Sequence, residues 1–238
     1  MTNNIVDLHT DAITALLEGK EDDSIAHLLR CLTLAKSAAF DTSPGLCSSA
    51  SKVIDSDRMD TKPCIFEVSL EEVIHACEDA SVLKRSAAAG NVQLYRHVFG
   101  VDGLDAITDR PTLIQFVAIV SYNLGMIYNE RASLRCDFKT LATARSLYVF
   151  ALQLISSPYC EQGILDLTAL ELAIYNNFGH LCAFFLDFEG YNKCRDRLEQ
   201  KLASAHQDTL NGPSLDFFRQ NCANSRNHIA TQLLAPAA

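Results

Sequence analysis

The stretch DLHTD, residues 7 to 11, places Asp7, His9 and Asp11 at every second position behind the apolar pair Ile5-Val6. On an extended strand that spacing sends all three side chains to one face, and such a lip can hold a catalytic zinc. A metal-dependent hydrolase using Asp7, His9 and Asp11 is therefore the first chemistry to weigh. It needs further His and acidic ligands from later barrel strands, yet Leu8, Ala12, Ala15 and Leu16 continue the segment at helical spacing. On a helix, residues two apart are rotated by about 200°, which turns His9 away from both aspartates. The sequence therefore predicts no catalytic residue, no metal and no cofactor. Asp7 becomes a first-turn acid favoured by the helix dipole, and His9 a surface available to a partner.

The remaining reactive side chains are dispersed. Nine cysteines, an odd number, form no Cys-x-x-Cys pair and read as small buried hydrophobes of a reducing compartment. His75 with Cys77, and His180 with Cys182, stand two apart and diverge on a helix. A Cys-His dyad could still assemble in space, where sequence spacing gives no guide. The acidic run Glu18, Glu21, Asp22 and Asp23 reads as a solvated turn with capping duty. A net charge of -9, from 29 acidic and 20 basic residues in 238, argues against a nucleic-acid partner, which calls for a basic patch. No continuous apolar run reaches the roughly 18 residues of a membrane span, and MTNNIVDLHTD lacks a signal-peptide layout. The expectation is a soluble intracellular chain, cytoplasmic or nuclear, with no membrane partner.

These residues must be positioned by helices. Trp is absent, prolines number six, and apolar residues recur at helical spacing along most of the chain. One domain, 1–238, is predicted, mainly all-α. Residues 5–38 form a first helical hairpin broken at Gly19, with Asp22 or Asp23 as N-cap. Residues 39–109 form a loop-rich insert. Within it 70–88 has helical spacing behind a Ser69 capping box, 64–68 and 92–98 could pair as a small β-ribbon, and 100–109 is a linker with glycine turns. A second hairpin spans 111–157, from a cap at Thr108 and Asp109 to about Arg131, then from Asp137 to the stop at Ser156-Ser157-Pro158. A third spans 160–206, with helices over 164–186 and 188–205. A last amphipathic helix, 213–234, displays Leu215, Phe218, Cys222, Ile229 and Leu233 as a cap.

An internal repeat underlies the hairpins. SYNLGMIY supplies Leu124, Gly125 and Tyr128, ARSLYVFALQL supplies Ala144, Tyr148 and Ala151-Leu152, and Pro158 closes the unit. AIYNNFGHLCAFF gives Tyr175, Phe178, Gly179 and Cys182 in the same slots, with Tyr191 where the second helix should carry a small residue. The first hairpin fits with Ala12, Gly19, Ser24 and Leu28. Over 5–38 and 111–206 the chain thus resembles a degenerate tetratricopeptide repeat protein. It departs in spacing: Gly125 to Gly179 exceeds the standard unit of about 34 residues, and extra residues around ASLRCDF separate Gly125 from Ala144.

The resemblance implies a short stack of antiparallel hairpins whose first helices line a concave groove that binds a peptide or partner helix. The groove residues it implies are His9 and Ile13 on the first hairpin, Tyr122, Asn123, Met126 and Asn129 on the second, and Asn176, Asn177 and His180 on the third. In the family, an Asn in the slot of Asn123 and Asn177 often bonds a ligand's backbone. Such an Asn can equally satisfy local backbone or water. One subgroup grips chaperone carboxylates with Lys and Arg on this stripe; here the stripe has neither. The expected function is a non-enzymatic adaptor or scaffold with a protein or peptide partner; the alternative is a structural subunit of a larger assembly. The first hairpin is expected to pack on the second, with the insert looping outward.

Overall fold

Helical spacing dominates the sequence, and the computed structural model is mainly α-helical: seven helices and one two-stranded ribbon among its described residues. Those residues are 3–40, 63–70, 93–104, 107, 109–135, 137–204 and 212–233. Of the loop-rich insert expected over 39–109, residues 41–62 and 71–92 lie outside them, and with them all but the first residue of the helix expected over 70–88. The helices are α1 (Asn3–Leu17), α2 (Glu21–Phe40), α3 (Arg110–Arg135), α4 (Phe138–Ile155), α5 (Thr168–Phe184), α6 (Phe188–Ser204) and α7 (Gly212–Leu233). Each packs against the next in chain order, so α2 joins the first hairpin to α3.

Turn chemistry sets the hairpins. Gly19 ends α1 with φ +74, while its N–H reaches Leu16 O at 3.0 Å and the Lys20 N–H reaches Ala15 O at 2.8 Å. This double closure needs a left-handed residue, which glycine supplies without steric cost. Helix α2 then starts at Glu21, which places Asp22 and Asp23 inside its first turn and not at the cap. Likewise α1 starts at Asn3, so Asp7 lies beyond the first turn. Asp109 caps α3 by accepting the Thr112 N–H at 2.7 Å. Asp137 caps α4 through Lys139 N and Thr140 N, at 3.0 and 3.2 Å.

Helix α3 is the core. Phe116, Val117, Ala118, Ile119, Val120, Tyr122, Leu124 and Met126 are all fully buried, so no face of it is amphipathic. Over Arg110–Ser133 it is long and apolar enough to cross a membrane, and 89% of its most apolar window is buried inside the protein. Gln115, Ser121 and Asn123 interrupt its apolar run, so the sequence shows no continuous stretch of that length. It continues past Arg131 to Arg135, absorbing part of the excess that separates Gly125 from its partner helix. A Cβ at Gly125 would lie 2.8 Å from the Tyr148 ring, which is why this crossing requires glycine.

The ribbon differs in limits from its sequence reading. Strands β1 (Cys64–Ser69) and β2 (His97–Asp102) pair antiparallel, Cys64 opposite Asp102 and Ser69 opposite His97. The strand therefore runs through Gly100, which the sequence suggests is a turn. Gly100 instead accommodates the Phe66 ring, which would overlap any Cβ placed there. The insert also does not simply loop outward, since β2 packs against α1 and α3.

The α5–α6 turn uses the same closure as Gly19, with Leu186 N bonding Ala183 O and Asp187 N bonding Cys182 O. Here the left-handed position, φ 58, is held by a leucine that is 72% exposed. A side chain in that conformation costs about 1 to 2 kcal/mol. Leu186→Gly should therefore raise the unfolding free energy by about 1 kcal/mol after glycine's own entropic cost. Urea denaturation of the two proteins checks the sign.

Candidate functional site

An antiparallel ribbon leaves each strand with one unpaired edge. The Leu70 N–H donates to Arg96 O at 2.9 Å, which fixes the parity: even residues of the 96–102 segment turn their backbone groups toward β1, and odd residues turn theirs away. The outward groups of a buried edge must be satisfied, since an orphaned N–H or C=O costs about 1 to 3 kcal/mol.

Side-chain amides do this work. Asn123 of α3 accepts the Phe99 N–H at 2.9 Å and donates to Phe99 O at 2.8 Å. Asn177 of α5 accepts the Tyr95 N–H at 2.8 Å and donates to Tyr95 O at 3.0 Å. Asn221 of α7 accepts the Gln93 N–H at 3.1 Å and donates to Gln93 O at 2.7 Å. Between them the Tyr122 hydroxyl donates to His97 O at 3.0 Å. A primary amide offers a donor and an acceptor side by side, as a neighbouring strand's peptide groups would. The three asparagines therefore act as a third strand assembled from three helices. Residues 93–99 lie along them, crossing from α7 to α1.

The structure places the other groove candidates as buried or half-buried side chains rather than on an open surface. Asn176 donates to Gln93 O at 3.0 Å and accepts from Asn221 Nδ2 at 2.8 Å. Met126 Sδ lies 3.4 Å from Asn177 Nδ2. Asn129 is fully buried and accepts from Ser133 Oγ at 3.3 Å. Ile13 is core. His9 is buried, with Nε2 3.2 Å from Asn123 Nδ2 and its ring edge-on to Phe116. Burial drives the His9 pKa down to about 4, opposed by a hydrogen bond with the Phe99 backbone. His180 is half-buried one turn beyond Asn176 and Asn177; burial, then the Arg96 charge, lowers it to about 4. Arg96 pairs with Glu130 of α3 at 3.2 Å.

Side chains of the segment fill the space between helices. Tyr95 stacks on His97 and packs against Phe218 of α7, with ring centroids 4.4 and 4.6 Å apart. Its hydroxyl donates to Ser214 Oγ at 3.0 Å, which in turn donates to Glu67 Oε2 of β1 at 2.6 Å. Phe99 packs against Tyr122 at 5.3 Å. Burial raises the Tyr95 and Tyr122 phenols well above their ordinary value, so both stay protonated.

The sequence singles out Asn123 and Asn177 but misses Asn221 and the segment they hold. A signal is present: each asparagine stands two residues before a small one, Gly125, Gly179 and Ala223. The DLHTD stretch does not assemble a metal site. It lies in α1, where His9 is buried while Asp7 and Asp11 are exposed. Among the described residues no group of three His, Cys, Asp or Glu side chains is arranged to hold a metal ion.

Asn177→Ala should cost about 2 to 4 kcal/mol, because two buried backbone groups of Tyr95 lose their partner. Asn177→Asp, similar in shape but unable to donate, should cost at least as much. Amide exchange at Tyr95 reports this directly, and unchanged protection in both variants would remove the ladder from the account. Acid should act through His9. Its folded value lies below the unfolded 6.5, so the unfolded chain takes up the proton first as pH falls. That contribution is full above about pH 6.5 and is lost toward pH 4, by about 3 kcal/mol there. His9→Gln should flatten this part of a stability profile measured by denaturant titration.

No family model, no curated protein and no solved structure matches this chain.

Proposed function

We propose that the chain is a non-enzymatic, tetratricopeptide-like adaptor of the cell interior whose inner helical face takes the backbone of an extended protein segment. The observation that carries this reading is the pairing of Asn123, Asn177 and Asn221 with both backbone groups of Phe99, Tyr95 and Gln93. Amide-to-backbone bonds ignore side-chain identity, so the same face suits any strand that can lie in it. Residues 93–99 are its occupant in cis. A protein partner gains the face by exchanging with that segment, or reaches the ribbon that covers it.

A second reading, a structural subunit of a larger assembly, is favoured by one surface. Phe138, Leu186 and Phe188 are 62%, 72% and 61% exposed where α4 begins and α5 turns into α6. Phe138 continues through Phe184 to Phe185, with ring centroids 5.7 and 5.6 Å apart. A contiguous apolar tip containing a strained residue has no use in a solvated turn.

Affinity capture with cross-linking mass spectrometry separates the two. Val98→Ala, which trims a buried side chain of the occupying strand, should increase capture, with cross-links on α3 and α5. Cross-links confined to the tip, together with a mass above one chain in light scattering, would favour the assembly reading and overturn the groove reading.

A further inference from the structure

Two thiols meet inside the α5–α6 hairpin, away from the inner-face ladder. Gly179 of α5 faces Cys194 of α6, whose Cβ lies 3.2 Å from where a Cβ on Gly179 would stand. Gly190 of α6 faces Cys182 of α5, whose Sγ lies 2.9 Å from a Cβ built at 190. Each glycine sits about one helical turn from the cysteine on its own helix and across from the other. The sequence reading puts Tyr191 in the small-residue slot of the second helix; the contact with Gly179 falls on Cys194. Glycines on both sides bring the backbones close, and Cys182 and Cys194 are in hydrogen-bonding contact. Both are buried and free.

The bond between the two sulfurs, rather than the charges nearby, distinguishes them. Arg145 of α4 bonds Asp187 at 2.7 Å, next to both thiols. Cys182 lies below the ordinary thiol value because Cys194 donates to it; burial and then Asp187 oppose that bond, and Arg145 adds the smallest contribution to it. Cys194 is raised, first by that same bond and then by burial. Of the two, Cys182 is the sulfur that gives up its proton more readily. Cys31 and Cys160 lack this setting. Cys31 donates to Ile5 O at 3.3 Å and is pushed up to about 12 by burial, and Cys160 is raised to about 11.

We propose that Cys182 and Cys194 form a redox-active dithiol that closes to an intramolecular disulfide with a hydroperoxide as oxidant. The Cys182 thiolate attacks a peroxide oxygen, the O–O bond breaks, and a sulfenic acid and hydroxide (or alkoxide) result. Cys194 then displaces the sulfenic oxygen, which leaves as water with the Cys194 proton. With hydrogen peroxide the balance is two thiols and one peroxide to one disulfide and two waters. The closed loop spans the strained Leu186 turn and ties α5, which carries Asn176 and Asn177, covalently to α6. Transient opening of that turn gives the oxidant access. The inference holds whatever the inner face binds.

The test uses the folded full-length chain treated with hydrogen peroxide, then alkylated and mapped by mass spectrometry. The expected result is loss of two hydrogens and of two alkylatable thiols, a linked peptide joining 182 to 194, and reversal by dithiothreitol. Cys194→Ser should leave a Cys182 sulfenic acid that dimedone captures, while Cys182→Ser should abolish both products. If either variant fails to fold, wild-type mapping in buffer against urea decides, since the pair's selectivity requires the native hairpin. A Cys182 that stays alkylatable after exposed Cys64 has been oxidised, or that links to another cysteine, overturns the proposal.

Discussion

The free edge of β2 is the constraint around which the rest is arranged. A strand placed among helices brings backbone donors and acceptors that helices, whose own backbones are internally bonded, cannot satisfy. Only side chains can, and the group best matched to a peptide bond is a primary amide. Asn123, Asn177 and Asn221 supply one each from α3, α5 and α7, so the spacing of the helices and the run of residues 93–99 constrain one another. Helices packed about 8 to 10 Å apart match two to three residues of extended chain. The step from Gln93 to Tyr95 follows that interval, and the step from Tyr95 to Phe99 is longer, with the Tyr122 hydroxyl reaching His97 O between them.

The same device recurs where α4 passes to α5. Gln115 donates to Cys160 O and Leu165 O at 3.0 and 3.1 Å and accepts the Leu165 N–H at 2.9 Å. An irregular connection is thus held by an amide from the core helix, as the strand is. This explains the polar residues inside an otherwise apolar α3: Gln115 and Asn123 hold different parts of the chain, and Tyr122 reaches a third carbonyl between the ladder's rungs. Replacing any of them by an apolar side chain would improve the helix's hydrophobicity and leave backbone groups of another segment unbonded.

The hairpins were legible because hydrophobic period, Gly19, Asp109 and Asp137 act locally. Asn123 and Asn177 were legible as a pair because both sit beside the glycine of their helix. What they bond was not, since the segment lies in an insert whose pairing depends on contacts distant in sequence. Gly100 reads as a turn until Phe66 is known to lie across it. The Cys182 and Cys194 contact was hidden for the same reason, as the crossing point of two helices depends on the turn that joins them. In DLHTD, period favours a helix over a strand, yet only packing shows His9 turned inward to Asn123 rather than outward to a partner.

Neutrality of the ladder also constrains what such a face can recognise. A charged side chain buried in place of Asn123 would need a compensating partner, and selectivity would then follow the partner's charge. Amides avoid that cost and read peptide groups alone. Discrimination is left to the spaces that hold Tyr95 and Phe99, formed by Phe217 and Phe218 on one side and Tyr122 on the other. Backbone bonds provide the hold and alternate side chains the choice, as in strand addition to a sheet edge. The ion pair from this segment to α3, Arg96 with Glu130, faces the other parity and so can fix register without interrupting the ladder. A segment exchanging with residues 93–99, as proposed, would keep the backbone bonds whatever its side chains and would fill these spaces best with aromatics spaced as 95 and 99 are.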